Sequence, residues 1–197
     1  LLDRELHDGA LHEYTAVIIN EADRLRALVD RMLGPSRPSQ KQPLNIHELC
    51  EHVYKLISSE APSGGVVDRD YDPSLPEGQF DRDELIQALL NIARNAVQAV
   101  LGKGHVTLRT RAVTNLSIGA SRHRLVACLQ VEDDGPGVPD VLHKTLFMPL
   151  VTGKSDGTGL GLTIAQEMVS RHRGIIEFES RPGRTVFSIL LPLETTE

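Results

Sequence analysis

Cysteine, aromatic residues and long hydrophobic runs are all scarce in this 197-residue sequence. With only Cys50 and Cys128, the chain cannot form a disulfide framework or a tetrathiolate zinc site. No apolar run approaches the roughly 18–20 residues that cross a bilayer. We therefore expect a reducing, cytoplasmic setting and no membrane partner.

Positive charge is also in short supply. Lys and Arg number 21 against 27 Asp and Glu, which gives a formal net charge of −6, and the basic residues form no run. Such a chain is a poor candidate for electrostatic capture of nucleic acid or of an anionic membrane. Hydrophobic residues at 40% and charged residues at 24% are nevertheless typical of a globular domain with a buried core.

Residues 1–35 contain a helix with a narrow apolar seam. Its members follow one another at alternating steps of four and three: Leu11, Thr15, Ile18, Ala22, Leu25, Val29 and Met32. This spacing predicts a helix over 11–33 that packs on partner helices; an ordinary amphipathic helix on its own core is the alternative. Gly34-Pro35 ends the helix, and the polar, proline-bracketed residues 36–43 predict a linker. Because the sequence starts at Leu1 in mid-pattern, we expect a piece of a longer protein.

Residues 44–197 predict one larger α+β domain. Helices are expected from Asn45, from Asp81 to about Val100 and from about Gly159 to His172, the first two opening with capping boxes. Five strands are expected at 66–71, 106–113, 125–133, 175–179 and 185–191, with a loop around 114–124. Two strand pairs have the spacing of hairpins, so the predicted fold is an α/β sandwich whose mixed sheet carries helices on one face.

Several familiar motifs fail on inspection. Gly153-Lys154-Ser155 resembles the end of a P-loop, but Met148 occupies the position of its first glycine. Neither glycine pair, 135/137 or 159/161, completes a dinucleotide-binding fingerprint. His47 and His52 are five residues apart and diverge on a helix, so they predict no zinc site, and the remaining histidines are expected to be solvated.

Three other features point to chemistry. Asn91 and Asn95 lie four apart on one face of a helix, which is either a solvated polar face or a pair of amide ligands. Asp133 follows a hydrophobic strand and precedes Gly135-Pro136-Gly137, which is either a plain turn or a carboxylate poised to accept from an exocyclic amine. The glycine-rich residues 152–162 run into a helix that is expected to bury Leu160, Leu162 and Ile164. This favours a phosphate cradle with a mobile, lysine-bearing lid in front of it over a flexible linker.

The order of these features resembles the catalytic ATP-binding domain of sensor histidine kinases, within the gyrase/Hsp90/MutL-like ATPase superfamily. Residues 91–96 resemble the N box, 133–137 the first glycine box, Phe147 the F box and 157–162 the second glycine box, with Gly183-Arg184-Thr185 on a late strand. The resemblance covers Asn45 to Pro192. It implies that residues 1–35 are the second helix and the preceding loop of a truncated dimerisation and phosphotransfer bundle, that 36–43 are the linker and that 44–197 are the catalytic domain.

The resemblance also implies roles for particular residues. Asp133 would accept a hydrogen bond from the adenine amine of ATP, with Thr185 helping through water, and Asn95 would ligate Mg²⁺. Asn91 would be both a catalytic residue and a polar residue close to the bound cofactor. Hydrolytic relatives carry a water-activating Glu there, and an amide cannot take that proton, so Asn91 favours transfer to a side chain over ATP hydrolysis. The other implied nucleotide-binding residues are Gly135, Gly137, Thr152, Lys154, Gly157, Thr158, Gly159, Leu160, Gly161 and Leu162.

Four further segments resemble the nitrogen-regulation branch of the family: residues 13–15, 23–25, 70–76 and 146–151. This likeness implies an NtrC-like response regulator and a PII-type regulator protein as partners, and a homodimer formed through the helical bundle. A nucleotide- and partner-binding module without catalysis is the alternative function. A serine-directed kinase of the same superfamily is another.

Two positions depart from the family pattern. Many sensor kinases have Lys three residues after the second Asn, where this chain has Gln98. The phosphoacceptor is also missing: neither His7-Asp8 nor His12-Glu13 is followed by the expected proline. We therefore expect the acceptor histidine upstream of Leu1.

Overall fold

The structure is a computed structural model that describes residues 39–60, 65–100, 103–152 and 159–193. The chain divides into two units, Leu1–Arg37 and Pro38–Glu197, and every described residue belongs to the second. The predicted helix over 11–33 and the first part of the predicted linker lie outside the described residues. In chain order the elements are β1 Gln42–Leu44, α1 Ile46–Glu60, β2 Val66–Asp70, β3 Gly78–Phe80, α2 Arg82–Ala99, β4 His105–Ile118, β5 Ser121–Asp133, α3 Gly161–Arg171, β6 Ile175–Arg181 and β7 Arg184–Pro192.

The main sheet has five strands in the order β2-β4-β5-β7-β6. β2 runs parallel to β4, whereas β4–β5, β5–β7 and β6–β7 are antiparallel. The predicted mixed sheet and both predicted hairpins are therefore confirmed. β1 and β3 form a separate antiparallel pair.

The core lies between this sheet and the helices on one of its faces. α2 presents Leu85, Leu89, Ile92 and Ala96 to that core, all at most 3% exposed, as the 3.6-residue spacing predicts. Val106, Leu108, Leu129 and Val131 meet them from alternate positions of β4 and β5. Burying each such large aliphatic side chain contributes about 1.5–3 kcal/mol, and α2 is therefore firmly held.

The β4–β5 hairpin is longer than predicted, because residues 114–118 and 121–124 form strand and only residues 119–120 form the turn. Asn115 has a φ of 57°, a left-handed conformation that Asn tolerates better than most residues. That single residue changes the alternation of the strand, so Leu116 and Ile118 join Val113 in a small apolar cluster on the face opposite the helices. The turn-forming residues suggested a loop, but the alternating Leu116 and Ile118 were the signal of a strand.

The N-terminus of α2 corrects the predicted capping box. Asp81 is the N-cap, as expected, and its carboxylate accepts from the backbone N–H groups of Asp83 and Glu84. The Glu84 carboxylate, which is 1% exposed, does not close the box but pairs with Arg171 at 3.0 Å and accepts from Ser39 at 3.2 Å. The backbone N–H of Asp81 instead donates to His172 Nε2 at 2.9 Å.

His172 also corrects the expectation that the remaining histidines are solvated. Its side chain is fully buried, and Nδ1 donates to the Met168 carbonyl at 2.7 Å. Burial lowers the pKa of this imidazole below its usual value. The buried face of α3 contains Ile164, Ala165, Met168 and Val169, and the same spacing continues to 172. That periodicity was the sequence signal that His172 is buried.

The predicted linker includes two residues that the structure places in a strand. Gln42 and Pro43 belong to β1 and pair with Phe80 and Gln79. Just before them, the Gln40 N–H donates to Asp81 Oδ2 at 2.7 Å. A three-residue strand is too short for its pattern to be recognised in the sequence.

Candidate nucleotide-binding site

Helix α2 is the centre of the candidate site, because both glycine segments contact it. The Asn91 amide Nδ2 donates to the Gly161 carbonyl at 3.1 Å. Eight residues further on, a Cβ added to Gly135 would lie 3.1 Å from the Ala99 Cβ. At 1.5 Å per residue, the two contacts are about 12 Å apart along the helix. The fold therefore brings the predicted N box, the first glycine box and residues 159–162 of the second glycine box to one surface.

Asn95 lies midway between those two contacts. It is half-buried, and within the described part of the chain its side chain makes no hydrogen bond. The described residues also contain no group of three or more His, Cys, Asp or Glu side chains arranged to hold a metal. An amide oxygen with no competing partner suits Mg²⁺, which usually takes one or two protein oxygens and completes its shell with water and substrate phosphates.

The first glycine segment is anchored at the end of β5. Asp133 is 4% exposed, and its Oδ1 accepts from the Gly135 N–H at 3.0 Å. The Gly135 carbonyl accepts from the Gly183 N–H at 2.9 Å, which ties the segment to the β6–β7 turn. Gly137 has a φ of +85°, and a Cβ there would lie 2.9 Å from the Arg181 backbone. Glycine is therefore required at 137, and the Asp133 carboxylate is held in a fixed orientation.

Thr185 lies beside Asp133 on the same face of the sheet. The two residues are register partners across β5 and β7, and Thr185 is 3% exposed. Its hydroxyl is 3.0 Å from the Ser180 hydroxyl on β6. The structure thus brings together a carboxylate and a hydroxyl that the sequence places 52 positions apart.

The charged side chains next to Asp133 and Thr185 along the strands lie on the opposite face of the sheet. Glu132 lies on the opposite face of the sheet, where it pairs with Arg109 at 2.9 Å and with Arg184 at 3.3 Å. Burial opposes ionisation of Glu132, but the hydrogen bonds from Arg109 and Arg184 outweigh it and hold the pKa of this carboxyl below its usual range. Arg184, part of the late-strand motif, is therefore not in the site.

The second glycine segment ends at the N-terminus of α3. Leu160 occupies the N-cap position and supplies no side-chain hydrogen bond to the first turn. The first N–H groups of a helix have no intrahelical partner, and together with the helix dipole they favour an anion. Gly161 and Leu162 begin this turn, beside Asn91. Leu160 is buried as predicted, whereas Leu162 is only half-buried.

Two contacts join the chain before and after the predicted lid. The Leu150 N–H donates to the Gly159 carbonyl at 3.1 Å, and the Thr163 hydroxyl donates to the Phe147 carbonyl at 3.0 Å. Leu150 and Gly159 both have left-handed backbones, with φ of 66° and 65°. We call these two contacts the lid junction. They hold the F box against the start of α3.

The F box is part of an aromatic cluster on β6 and β7. The Phe147 ring packs edge-on against Phe178, with centroids 6.1 Å apart, and Phe178 stacks on Phe187 at 5.6 Å. His143 packs edge-on against Phe178 and its Nε2 is 3.0 Å from the Val138 carbonyl. This cluster positions the chain that leads from the first glycine segment to the lid junction.

Part of the predicted site lies outside the described residues. Lys154, Gly157 and Thr158 fall in 153–158, and their roles stay predictions. Thr152 is exposed and is the last described residue before that gap. Two residues that sequence reasoning missed are Thr163 and Ser180. Neither has a sequence signal of its own, because both act through partners that are distant along the chain.

The thiols and the helices of the described region add two observations. Burial, together with the charge of Glu51, raises the pKa of the Cys50 thiol to about 12, so it is not a reactive nucleophile. No helix in residues 39–60, 65–100, 103–152 or 159–193 is long and apolar enough to cross a membrane.

A helix-backed mixed sheet with this site defines the class of protein. Residues 80–195 match the family described as histidine kinase-, DNA gyrase B- and HSP90-like ATPase. The chain belongs to this family. The predicted fold class and the resemblance to histidine kinases are thereby confirmed.

Within the family, the chain is similar to NtrB, the sensory histidine kinase/phosphatase. It is 52% identical to NtrB of Klebsiella oxytoca over 194 residues and 48% identical to NtrB of Vibrio alginolyticus over 195 residues. Each match covers 98% of this chain and 56% of the relative, so the chain spans little more than half the length of these proteins. The narrower resemblance to the nitrogen-regulation branch is confirmed.

Two solved structures show the same fold. Full-length ShkA in complex with AMPPNP is 25% identical, with a TM-score of 0.75 over 99% of this chain and 41% of that one. Histidine kinase ThkA, in complex with the response regulator protein TrrA, is 24% identical, with a TM-score of 0.68 over 98% of this chain and 55% of that one.

Proposed function

We propose that this chain is the ATP-binding kinase core of a nitrogen-regulation sensor histidine kinase. In this proposal it transfers the γ-phosphoryl group of ATP to a histidine, from which it passes to an aspartate of a response regulator. One observation carries the proposal: a single helix contacts both glycine segments, through Asn91 and Ala99, and presents Asn95 between them. Histidine as the acceptor is supported by the NtrB relatives, which are 52% and 51% identical to this chain.

The residues at the Asp133 end would bind the base. The Asp133 carboxylate, held by the Gly135 N–H, can only accept hydrogen bonds when ionised, and adenine offers an exocyclic amine. Thr185 would assist through its hydroxyl. At the other end, the uncapped first turn of α3 would receive phosphate oxygens on its N–H groups, next to the Asn91–Gly161 contact.

Asn95 would hold Mg²⁺ through its amide oxygen. A bound ion would neutralise negative charge on the triphosphate. Asn91 donates its amide to Gly161 and cannot accept a proton from water, so it does not generate a hydrolytic nucleophile. Lys154, Gly157, Thr158 and the rest of 152–162 are proposed to contact the triphosphate.

The whole protein is proposed to be a cytoplasmic homodimer. Residues 1–35 would be the second helix of the dimerisation bundle, 36–43 the linker and 44–197 the catalytic domain, with the acceptor histidine upstream. An NtrC-like response regulator and a PII-type protein would be its partners. The two free thiols, Cys50 and Cys128, are compatible with a reducing compartment.

A transfer assay in trans tests this function. The chain is incubated with γ-labelled ATP, Mg²⁺ and a separate bundle fragment from an NtrB relative that contains the acceptor histidine. We expect acid-labile label on the fragment, its loss when the acceptor is replaced by Gln, and its loss with Asn95→Ala. ATP binding without any transfer would make the chain a binding module. Acid-stable label on the fragment would indicate a serine-directed kinase, and rapid ATP hydrolysis without acceptor would contradict the role of Asn91.

A further inference from the structure

Helix α3 contacts α2 through polar side chains at both of its ends. At the N-terminus of α3, the Gly161 carbonyl accepts from the Asn91 amide at 3.1 Å. At its C-terminus, the Arg171 guanidinium pairs with the Glu84 carboxylate at 3.0 Å. At 1.5 Å per residue, these two contacts are about 15 Å apart along α3 and about 10 Å apart along α2. The two helices therefore run in opposite directions, and a polar contact holds each end of α3.

The Glu84 carboxylate is itself held from two sides. Its side chain is 1% exposed, its Oε1 accepts from Arg171, and its Oε2 accepts from the Ser39 hydroxyl at 3.2 Å. Arg171 also pairs with Glu167, but both of these residues lie on α3. Of the two carboxylates that contact Arg171, only Glu84 is on the other helix. It is therefore the one that fixes the end of α3 relative to α2.

The polar contact constrains α3 in a way that its apolar face does not. The buried members of that face are Ile164, Ala165, Met168 and Val169. Burial of apolar surface is favourable but has no preferred direction. A hydrogen bond, in contrast, weakens steeply as its distance and angle change. The pair formed by Glu84 and Arg171 therefore constrains the rotation of α3 and its position along α2.

We propose that Glu84 is a positioning residue for the phosphate end of the nucleotide site. This inference rests on the proposed function. Glu84 fixes the C-terminal end of α3 through Arg171, and a helix of eleven residues, joined by its backbone hydrogen bonds, moves nearly as a unit. The N–H groups of Gly161 and Leu162 at the other end are those proposed to receive phosphate oxygens. Their placement therefore depends on Glu84.

The test uses a substitution that removes the carboxylate and keeps most of its volume. Glu84→Met places an apolar side chain in the buried space. Because Arg171 is 34% exposed and keeps Glu167 as a partner, the variant leaves no buried charge unpaired. Glu84→Gln is the conservative variant, since its amide oxygen can still accept from Arg171. Glu167→Met is the matched control: it removes the other carboxylate that pairs with Arg171, but within α3.

Two measurements are made on the 197-residue chain and these variants. In NMR spectra recorded without nucleotide, we expect the backbone amide signals of Gly161 and Leu162 to shift in Glu84→Met and to stay in place in Glu167→Met. In titrations, Glu84→Met should bind Mg²⁺-ATP about fivefold more weakly, because fewer molecules have α3 correctly placed. Its affinity for adenosine, which has no phosphates, should change less than about twofold. Glu84→Gln should restore most of the ATP affinity, and Glu167→Met should keep all of it.

Contrary results separate the positioning role from the proposed function. If the unmodified chain binds ATP and Glu84→Met binds it equally well, Glu84 is not a positioning residue. Equal losses for ATP and adenosine would overturn the role of Glu84 too, because the effect would not be on the phosphates. An unmodified chain that binds no ATP would overturn the proposed function and this inference with it. If Glu84→Met does not fold, Glu84→Ala takes its place with the same expected losses, and an unchanged ATP affinity in that variant would overturn the role of Glu84.

Discussion

Gly159→Ala tests whether the lid junction supports nucleotide binding. Gly159 has a φ of +65°, and a Cβ there would lie 2.5 Å from the Leu150 carbonyl carbon and 2.7 Å from the Val151 nitrogen, both backbone atoms. A left-handed alanine costs about 1–2 kcal/mol. Loss of the hydrogen bond from Leu150 to the Gly159 carbonyl adds about 0.5–1.5 kcal/mol. The junction is therefore destabilised by about 1.5–3.5 kcal/mol.

This cost reduces the fraction of molecules in which the start of α3 is correctly placed, and apparent affinity falls with that fraction. We expect Mg²⁺-ATP binding, measured by calorimetry, to weaken at least about tenfold. Gly119→Ala is the matched control: its φ is +60°, but no atom lies within 4 Å of the added Cβ. It introduces the same backbone strain far from the site, so the melting temperature should fall while the affinity is kept. Equal affinities for the two variants would mean that the lid junction does not support nucleotide binding.

Two further predictions concern α2 and its surroundings. Asn91→Asp replaces the amide that donates to the Gly161 carbonyl with a carboxylate that repels it, and we expect ATP affinity to fall about fivefold to twentyfold in a calorimetric titration. His172 must stay neutral, because its Nε2 accepts from Asp81. Since burial lowers its folded-state pKa below 6.5, the unfolded chain takes up the proton first, and the free energy of unfolding should decrease as pH falls from 7 to 5. His172→Gln should flatten that decrease in chemical denaturation.

The Asn91 and His172 predictions each have a control variant and an outcome that would contradict them. Asn91→Ala removes the hydrogen bond without adding charge and should be milder than Asn91→Asp. If the two variants bind ATP equally, repulsion at Gly161 is not the cause. His105→Gln is the control, because it makes the same substitution at an exposed side chain and removes no buried hydrogen bond. A slope that persists in His172→Gln would place the titrating group elsewhere.

Much of the fold was predictable because its periodicity is strong. The buried stripe of α2 and the Asp81 cap located that helix, and the apolar runs in 125–133 and 185–191 predicted β5 and β7. The failures have local causes. Asn115 carries a left-handed backbone inside a strand, and β1 is too short for its pattern to be distinguished from a linker. The Glu84 side chain took a partner from α3, which no local pattern contains.

The residue types of the site were predictable from the sequence, but the contacts that hold these residues in place were not. The order of Asn91, Asp133 and the glycine segments identified the elements that meet on α2. Sequence spacing could not show that Asn91 contacts Gly161, 70 positions away, or that Ser180 contacts Thr185 across two strands. The first contact depends on how α2 and α3 pack, and the second on sheet register, which is set by the packing of the whole domain.

Binding of ATP with its adenine at Asp133 is tested most simply by a calorimetric titration of this chain with ATP and Mg²⁺, beside Asp133→Asn and Glu132→Gln. The Asn variant keeps an oxygen for the Gly135 N–H but removes the charge, and it should bind ATP roughly tenfold to 150-fold more weakly. Glu132→Gln makes the same change one residue away on the opposite face and should leave the affinity unchanged. Absence of ATP binding by the unmodified chain, or a change below about threefold for Asp133→Asn, would contradict the account.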